Sequence, residues 1–310
     1  PLRRQRQMCI RDSPWADKYT AFTAMKGKGG YFIRVFGGKE VSLPIQSCLY
    51  LRTTNLLQAV HNIIIMERDS TAQLITGCLT HPRTGRALHI GVSEFYLKRG
   101  ARLTFTMVHN WGPKVDVRPR TGILLEDGGT YVSNYVCLGL VNSLQMYPKA
   151  EIVGNRSTAA MNSIIYGKGH SYFDVGGQVV VRGNSNVAEI IGRTVTTGSS
   201  RAVMRARLMS GGEGNKGHIE CRGLMLSPQS EITAVPELVS KSSTSELTHE
   251  AAIGRLNEEQ VLYLMSRGLK REDAESLLIK GFLDVSMMKL PGYLQDQIEK
   301  IIHLAMTSGL

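Results

Sequence analysis

Short runs of apolar and β-branched residues, separated by turn-forming residues, fill the chain from about residue 30 to residue 239. Some runs alternate apolar and polar residues, as a half-buried strand does. Others are continuously apolar, as a strand covered on both faces is. The pattern predicts many short strands. The clearest runs lie at 31–36, 63–66, 87–92, 103–109, 131–138, 178–181, 187–191 and 202–208.

The turn residues between these runs recur at nearly regular spacing, about every thirty residues at first and about every fifteen after Gly167. Regularly spaced short strands are typical of a sandwich, a barrel or a β-solenoid. The stretch is long for a single sandwich, and no Greek-key landmark is visible. We therefore predict a mainly-β protein with a right-handed parallel β-helix over about 25–240.

The periodicity changes after the Ser/Thr-rich stretch 241–245, where apolar residues begin to recur at helical spacing. Asn257 is a good N-cap for a first helix, and Gly268 is a natural stop. We predict helices near 257–267, 271–280 and 292–307, acting either as a cap on the solenoid or as a docking module.

These patterns divide the chain into three parts. We expect an N-terminal tail over 1–24, either disordered or foreign to the native chain. A β-helix core would follow over 25–245, and a helical domain over 246–310.

The amino-acid composition agrees with this architecture and reduces the number of possible functions. The 310 residues include 32 glycines but only 6% aromatics, so many tight turns surround an aliphatic core. The net charge of +11 is spread along the chain, which favours a solvated surface over a nucleic-acid site. No apolar run is long enough to span a bilayer. We expect neither a membrane nor a nucleic-acid partner.

The five cysteines are an odd, widely spaced set without a signal peptide. This usage argues against a disulfide framework and indicates a reducing, cytoplasmic setting. Cys48 and Cys137 lie in β-rich parts of the sequence, and we interpret them as small apolar side chains that fill the core. The set is Cys9, Cys48, Cys78, Cys137 and Cys221.

The usual enzyme signals are absent from the sequence. There is no phosphate-cradling loop of the Walker type and no Cys-x-x-Cys pair. His249 and Glu250 begin like a zinc-protease motif, but Ile253 stands where the second histidine would be. We predict that the chain is not itself an enzyme.

A thiol, an imidazole and a carboxylate remain as candidate ligands. Cys221, His249 and Glu250 together suit iron. The alternative is a buried small side chain for Cys221 and a helix-start pair for the other two residues. These three residues can bind one iron only if the chain returns past Cys221 after 241–245. We also expect the basic surface and a nearby metal to lower the pKa of the Cys221 thiol.

An ordered set of short motifs fills the C-terminal third: His-Glu-Ala at 249–251, Glu-Glu-Gln at 258–260, Leu-Tyr-Leu-Met-Ser-Arg-Gly at 262–268, Glu-Asp-Ala at 272–274 and Gly-Phe at 281–282. In this order the motifs closely resemble the C-terminal signature of the SufB/SufD family of iron–sulfur cluster assembly proteins. Upstream, 75–78 and 108–111 resemble two strand motifs of the scaffold members, and the similarity covers about 30–310.

The resemblance implies a platform on which an iron–sulfur cluster, transient and of the 4Fe–4S type, is built. It implies a β-helix that forms a homodimer, or a heterodimer with a SufB/SufD paralogue. It also implies a helical domain that binds the ABC-type ATPase SufC. The implied docking positions are Glu259, Gln260, Tyr263, Met265, Arg267 and Gly268.

The resemblance also assigns roles to single residues. Cys221, His249 and Glu250 match cluster-site positions, and Cys78 matches a sulfur-accepting cysteine. The implied supporting residues are Arg52, His109, Asn110 and Trp111.

The chain departs from the family pattern at three positions and lacks the long N-terminal helical region. Ser230 stands where longer scaffold members have a further cysteine, His109 replaces a glutamine, and Thr76 replaces a glutamate. The chain therefore looks like a short, core-only, SufB-like member.

Four functions remain in competition. The first is an assembly scaffold, and the second is a structural SufD-like partner subunit whose cysteines are filler. The third is a β-helix enzyme acting on polysaccharide, which would need paired carboxylates and usually secretion. The fourth, nucleic-acid binding, rests on charge alone. The retention of Cys221, His249 and Glu250 favours the scaffold.

Overall fold

The computed structural model describes residues 17–288 together with residues 292, 295, 296 and 300. Within these residues, eighteen strands form two sheets that coil into a parallel β-solenoid of about eight turns. The predicted mainly-β solenoid is confirmed.

Each sheet contributes one side of every turn. The first sheet contains β1 (Phe32–Val35), β3 (Leu56–Met66), β5 (Ala87–Leu97), β7 (Val115–Val117), β8 (Arg120–Leu125), β10 (Ser143–Met146), β11 (Lys149–Ile152), β13 (Tyr172–Val181), β15 (Arg201–Ser210) and β17 (Glu231–Ser240). The second contains β2 (Ile45–Leu51), β4 (Thr71–Thr80), β6 (Arg102–Asn110), β9 (Thr130–Gly139), β12 (Thr158–Gly167), β14 (Val187–Thr196), β16 (Lys216–Met225) and β18 (Glu246–Arg255).

The strands stack in register from one turn to the next. Val187 on β14 lies between Thr158 on β12 and Lys216 on β16, which are 29 residues before and after it. Two strands and two turns therefore fit into each repeat, which explains the fifteen-residue spacing of turn residues in the second half of the chain.

Alternation along each strand fills the interior of the solenoid. On β13, Phe173, Val175, Gly177, Val179 and Val181 are buried, while the residues that alternate with them are more exposed. Aliphatic side chains dominate this core, and Phe95 contacts the rings of Phe105 and Tyr131 inside the early turns.

A short helix, α1 (Lys18–Lys26), precedes the first strand, so residues 18–24 differ from the expected tail. Burial would raise the pKa of the N-cap Asp17, but hydrogen bonds from the Thr20 backbone and from Arg120 outweigh it and lower that pKa. Arg120 lies on β8, so the cap also ties the helix to the solenoid. Residues 1–16 of the expected tail lie outside the described residues.

The C-terminal helices are α2 (Glu258–Ser266) and α3 (Arg271–Phe282), followed by a 3₁₀ turn at Val285–Met288. They agree with the first two predicted helices. Asn257 caps α2 by accepting from the Glu259 N–H, and Gly268 adopts a φ of 98° after it. The third predicted helix falls almost entirely outside the described residues.

The boundary expected at 245/246 lies elsewhere. Residues 246–255 form β18, a strand of the solenoid that pairs with β16 over its full length, so the β-body continues to Arg255. The Ser/Thr-rich stretch 241–245 is one more turn between strands, and it is as long as the turn 211–215 one repeat earlier.

The described part of the helical segment covers the side of the solenoid. Ile279, Leu283, Val285 and Met288 pack with apolar residues on the outer face of the second sheet, including Ile164. The end of the solenoid remains open within the described residues. There β17 pairs only with β15 and β18 only with β16, and the side chains of β18 are largely exposed.

Candidate functional site

Cys221 lies inside the solenoid on its penultimate strand in the second sheet. It is 3% exposed and stands in register between Gly192 on β14 and Ala251 on β18. Burial raises the pKa of its thiol to about 11, and the neighbouring Glu220 carboxylate adds to the rise. The expected lowering by the basic surface is therefore wrong for the protein alone, because burial, and to a smaller extent the Glu220 carboxylate, disfavours the thiolate.

His249 shares the interior face with Cys221. It is in register with Ile219, which is buried in the same core as Cys221. Paired residues of neighbouring strands point to the same face, so His249 lies one strand over and two residues along from Cys221. Strand spacing and rise place the two Cα atoms about 8 Å apart. The imidazole is exposed at the open end.

Glu250 points to the opposite face of the sheet. It is in register with Glu220, and its carboxylate accepts a hydrogen bond of 3.0 Å from Arg222 on the outside of the solenoid. Cys221 and His249 are thus brought together, while Glu250 is not. Within the residues described, no three His, Cys, Asp or Glu side chains of the single chain are grouped as a metal site.

A cavity of about 40 Å³ adjoins Cys221 in the solenoid interior. Gly192 has no side chain to fill the space between Ser163 and Cys221, and a Cβ there would approach the Met204 methyl group to 3.0 Å. The lining reaches back along the axis to Tyr135. A cavity of this size holds a few small molecules such as water.

Cys78 lies in the interior several turns earlier. It is 2% exposed on β4 and in register with His109 on β6, which in turn is in register with Cys137 on β9. Burial raises the pKa of the Cys78 thiol to about 12, with a smaller contribution from Cys48. The thiol is therefore protonated at neutral pH.

The supporting residues predicted from the sequence divide into two groups. His109 and Trp111 are buried beside Cys78, with their ring centroids 4.9 Å apart in an edge-on arrangement. Asn110 lies between them and is exposed on the other face. Arg52 follows β2 and is also exposed.

Tyr135 joins this region although the sequence did not single it out. Its hydroxyl lies 2.9 Å from Nδ1 of His109, and the two rings meet edge to face. Only the stacking register brings residues 109 and 135 together. Alternation on β9 was the one available signal, because it places Tyr135 on the same face as Cys137.

The predicted docking positions lie on and just after α2. Val261 holds the helix against the protein, while Leu262 and Tyr263 are 53% and 58% exposed. The Arg267 guanidinium stacks on the Tyr263 ring at 5.2 Å. The other predicted positions are exposed as well: Glu259, Gln260, Met265 and Gly268.

Helices of the described part of the chain are all too short or too polar to cross a membrane.

Comparison with known proteins identifies related sequences. Residues 49–282 match the family model described as SUF system FeS cluster assembly, SufBD core domain. An iron–sulfur cluster assembly SufBD family protein of Methanothermobacter thermautotrophicus is 44% identical over 94% of this chain and 72% of its own length. One from Archaeoglobus fulgidus is 43% identical over 93% of this chain and 77% of its own length. The iron–sulfur cluster assembly protein SufB of Bacillus subtilis is 25% identical over 96% of this chain and 64% of its own length.

Proposed function

Since the chain belongs to the SufBD family of iron–sulfur cluster assembly proteins, we propose that it is a scaffold subunit that receives sulfur and iron and on which a transient 4Fe–4S cluster is built. One observation carries the proposal. A buried thiol, Cys221, and an imidazole, His249, share the interior face at the open end of the solenoid. The cluster is cargo at this site, and thiolate and imidazole are donors that iron accepts.

The interior supports a role for Cys78 as the sulfur acceptor. Tyr135, Ser163, Gly192 and Cys221 stack on successive strands of the second sheet, and the cavity reaches from the first of them to the last. Tyr135 also contacts His109, which is in register with Cys78. Sulfur accepted at Cys78 would then reach Cys221 through the protected interior.

A second subunit would complete the ligand set. One chain offers two donors on the interior face, while Glu250 is engaged outside by Arg222. The unpaired edges of β17 and β18 are templates for another strand. We propose a dimer through these edges, with a second copy or a SufB/SufD paralogue, that brings further ligands to Cys221 and His249.

The exposed apolar surface on α2 and α3 would bind a SufC-type ABC ATPase. Leu262, Tyr263, Met265 and Leu277 are between 37% and 58% exposed. Glu258 on α2 makes a two-pronged ion pair with Arg271 on α3, at 2.7 Å for both contacts, which links the two helices at the surface. ATP hydrolysis in that partner would reshape the dimer and open the site.

Anaerobic reconstitution with ferrous iron and sulfide tests the cluster site. Cys221→Ser should lose the cluster chromophore, because the substitution removes the thiolate ligand. Cys137→Ser is the matched control, since Cys137 is equally buried on the same sheet but lies away from the open end. It should keep the chromophore. Absorption spectra of the full chain, with and without the ATPase, give the readout.

Equal loss or equal retention in the two variants would contradict the scaffold assignment. The structural SufD-like partner role would then be the better explanation, with both cysteines serving as core filler.

A further inference from the structure

Three buried polar atoms without a hydrogen-bond partner lie near Cys78. They are Oγ1 of Thr80, Nε2 of His109 and Nε1 of Trp111, and they belong to a short set of such atoms in the described part of the chain. His109 is 1% exposed and Trp111 is 5% exposed. Buried polar groups are nearly always satisfied, so a cluster of unsatisfied ones marks a place where water or a polar ligand binds.

The strand register places these atoms around one interior corner. Cys78 on β4 faces the interior beside His109 on β6. Thr80 lies two residues further along β4 and so on the same face, and Trp111 directly follows the end of β6, two residues beyond His109. The His109 and Trp111 rings contact each other edge-on, with their centroids 4.9 Å apart.

Tyr135 can determine which nitrogen of His109 carries the proton. Burial lowers the pKa of His109 well below its usual value, so the ring is neutral and has a single N–H. Burial also raises the pKa of Tyr135 well above its usual value, so the hydroxyl keeps its proton. When that hydroxyl donates to Nδ1, the ring proton must sit on Nε2.

We propose that Thr80, His109 and Trp111 form a donor pocket that holds the ionised outer sulfur of a persulfide on Cys78, with Tyr135 as the residue that positions the His109 proton. The inference rests on the proposed role of Cys78 as sulfur acceptor. A threonine O–H, an imidazole N–H and an indole N–H supply the donors that a buried anion needs.

The chemistry is an exchange with no net oxidation. The Cys78 thiolate attacks the outer sulfur of a donor persulfide, so a bond from Cys78 Sγ to that sulfur forms while the sulfur–sulfur bond of the donor breaks. The donor leaves as a thiolate and takes the proton released by Cys78. A persulfide is more acidic than a thiol, so the product is an anion that the pocket stabilises, whereas the bare Cys78 thiol stays protonated.

Persulfide loading of the full chain tests the pocket. The protein is equilibrated with inorganic polysulfide, blocked with iodoacetamide, and the Cys78 peptide is quantified by mass spectrometry. Thr80→Val and Tyr135→Phe should each lower the persulfide occupancy of Cys78 by about tenfold, the effect of one lost hydrogen bond to a charge. Thr194→Val is the matched control, since its buried hydroxyl also lacks a partner but lies on a distant strand. It should match the wild type.

A nitrogen-15 NMR spectrum separates positioning from packing. In the wild type the His109 signal should report a proton on Nε2 only, and in Tyr135→Phe part of the population should carry the proton on Nδ1 because nothing then occupies that nitrogen, with His109→Gln giving the assignment. Persulfide uptake that is insensitive to Thr80→Val and Tyr135→Phe would overturn the pocket alone. A wild-type Cys78 that takes up no persulfide would overturn the sulfur-accepting role together with the pocket.

Discussion

At the level of single residues, the buried His89 makes the free energy of unfolding depend on pH. His89 is 2% exposed, its Nδ1 lies 2.8 Å from the side-chain oxygen of Gln58, and its ring stacks against Trp111. Burial lowers its pKa to about 4. Below the unfolded pKa of about 6.5, the unfolded chain binds a proton that the folded chain does not, so stability falls as the pH drops from there towards 4.

The pH dependence of unfolding tests this linkage. Between about pH 7.5 and pH 5, His89 should contribute a loss of about 2 kcal/mol, because each pH unit below 6.5 costs about 1.4 kcal/mol. In His89→Gln, which keeps a polar partner for Gln58, the free energy of urea unfolding should vary less with pH by that amount. An unchanged slope in His89→Gln would contradict the prediction.

Among the elements, α2 combines a buried anchor with an exposed apolar face. Val261 is fully buried, so the helix stays in place when Leu262 and Tyr263 on its other side are changed. Leu262→Ser combined with Tyr263→Ala should reduce co-purification of a SufC-type ATPase by tenfold or more, because large apolar and aromatic side chains dominate interface energies (on the order of 2 kcal/mol or more each).

The control for α2 is Val153→Ser, which removes a similarly exposed apolar side chain after β11. ATPase binding that survives the double change, with the circular dichroism spectrum intact, would move the docking surface elsewhere. Point variants suit this test better than truncation after Ser245, since that truncation would also remove β18 and the cover of the second sheet.

At the scale of the whole molecule, the free edge of β18 sets the expected assembly. The Glu246 N–H bonds to Asn215 on the β16 side, so alternate residues, including Ile253, direct their N–H groups to the open edge. Ile253→Pro removes one of these donors and places a ring at the edge, which blocks strand addition. We expect sedimentation to show a dimer for the wild type and a monomer for this variant.

Ala252→Pro provides the contrast. The Ala252 N–H points to β16, so proline there removes a hydrogen bond between the two strands and should lower the urea midpoint, whereas Ile253→Pro should leave the midpoint nearly unchanged. A wild-type chain that sediments only as a monomer at tens of micromolar would contradict the dimer.

Much of the architecture could be predicted from local signals. Regular turn residues indicated the solenoid, and Asn257 and Gly268 marked the ends of α2, because turns and caps depend on the conformational preferences of a few neighbouring residues. The ordered match over 245–269 indicated the family, which the comparisons then showed. The same match assigned Cys221 and His249 to one site, and the strand register places both on the interior face.

The tertiary structure decided what depends on register between turns. Consecutive residues on a strand point to opposite faces, so once 246–255 forms β18, His249 and Glu250 cannot both face Cys221. The sequence alone allowed a helix start there, because a strand at the solenoid end is stabilised by pairing with β16 and not by its own pattern. Likewise, Tyr135 meets His109 only through stacking, since the length of each turn, and no local preference, determines which side chains become neighbours.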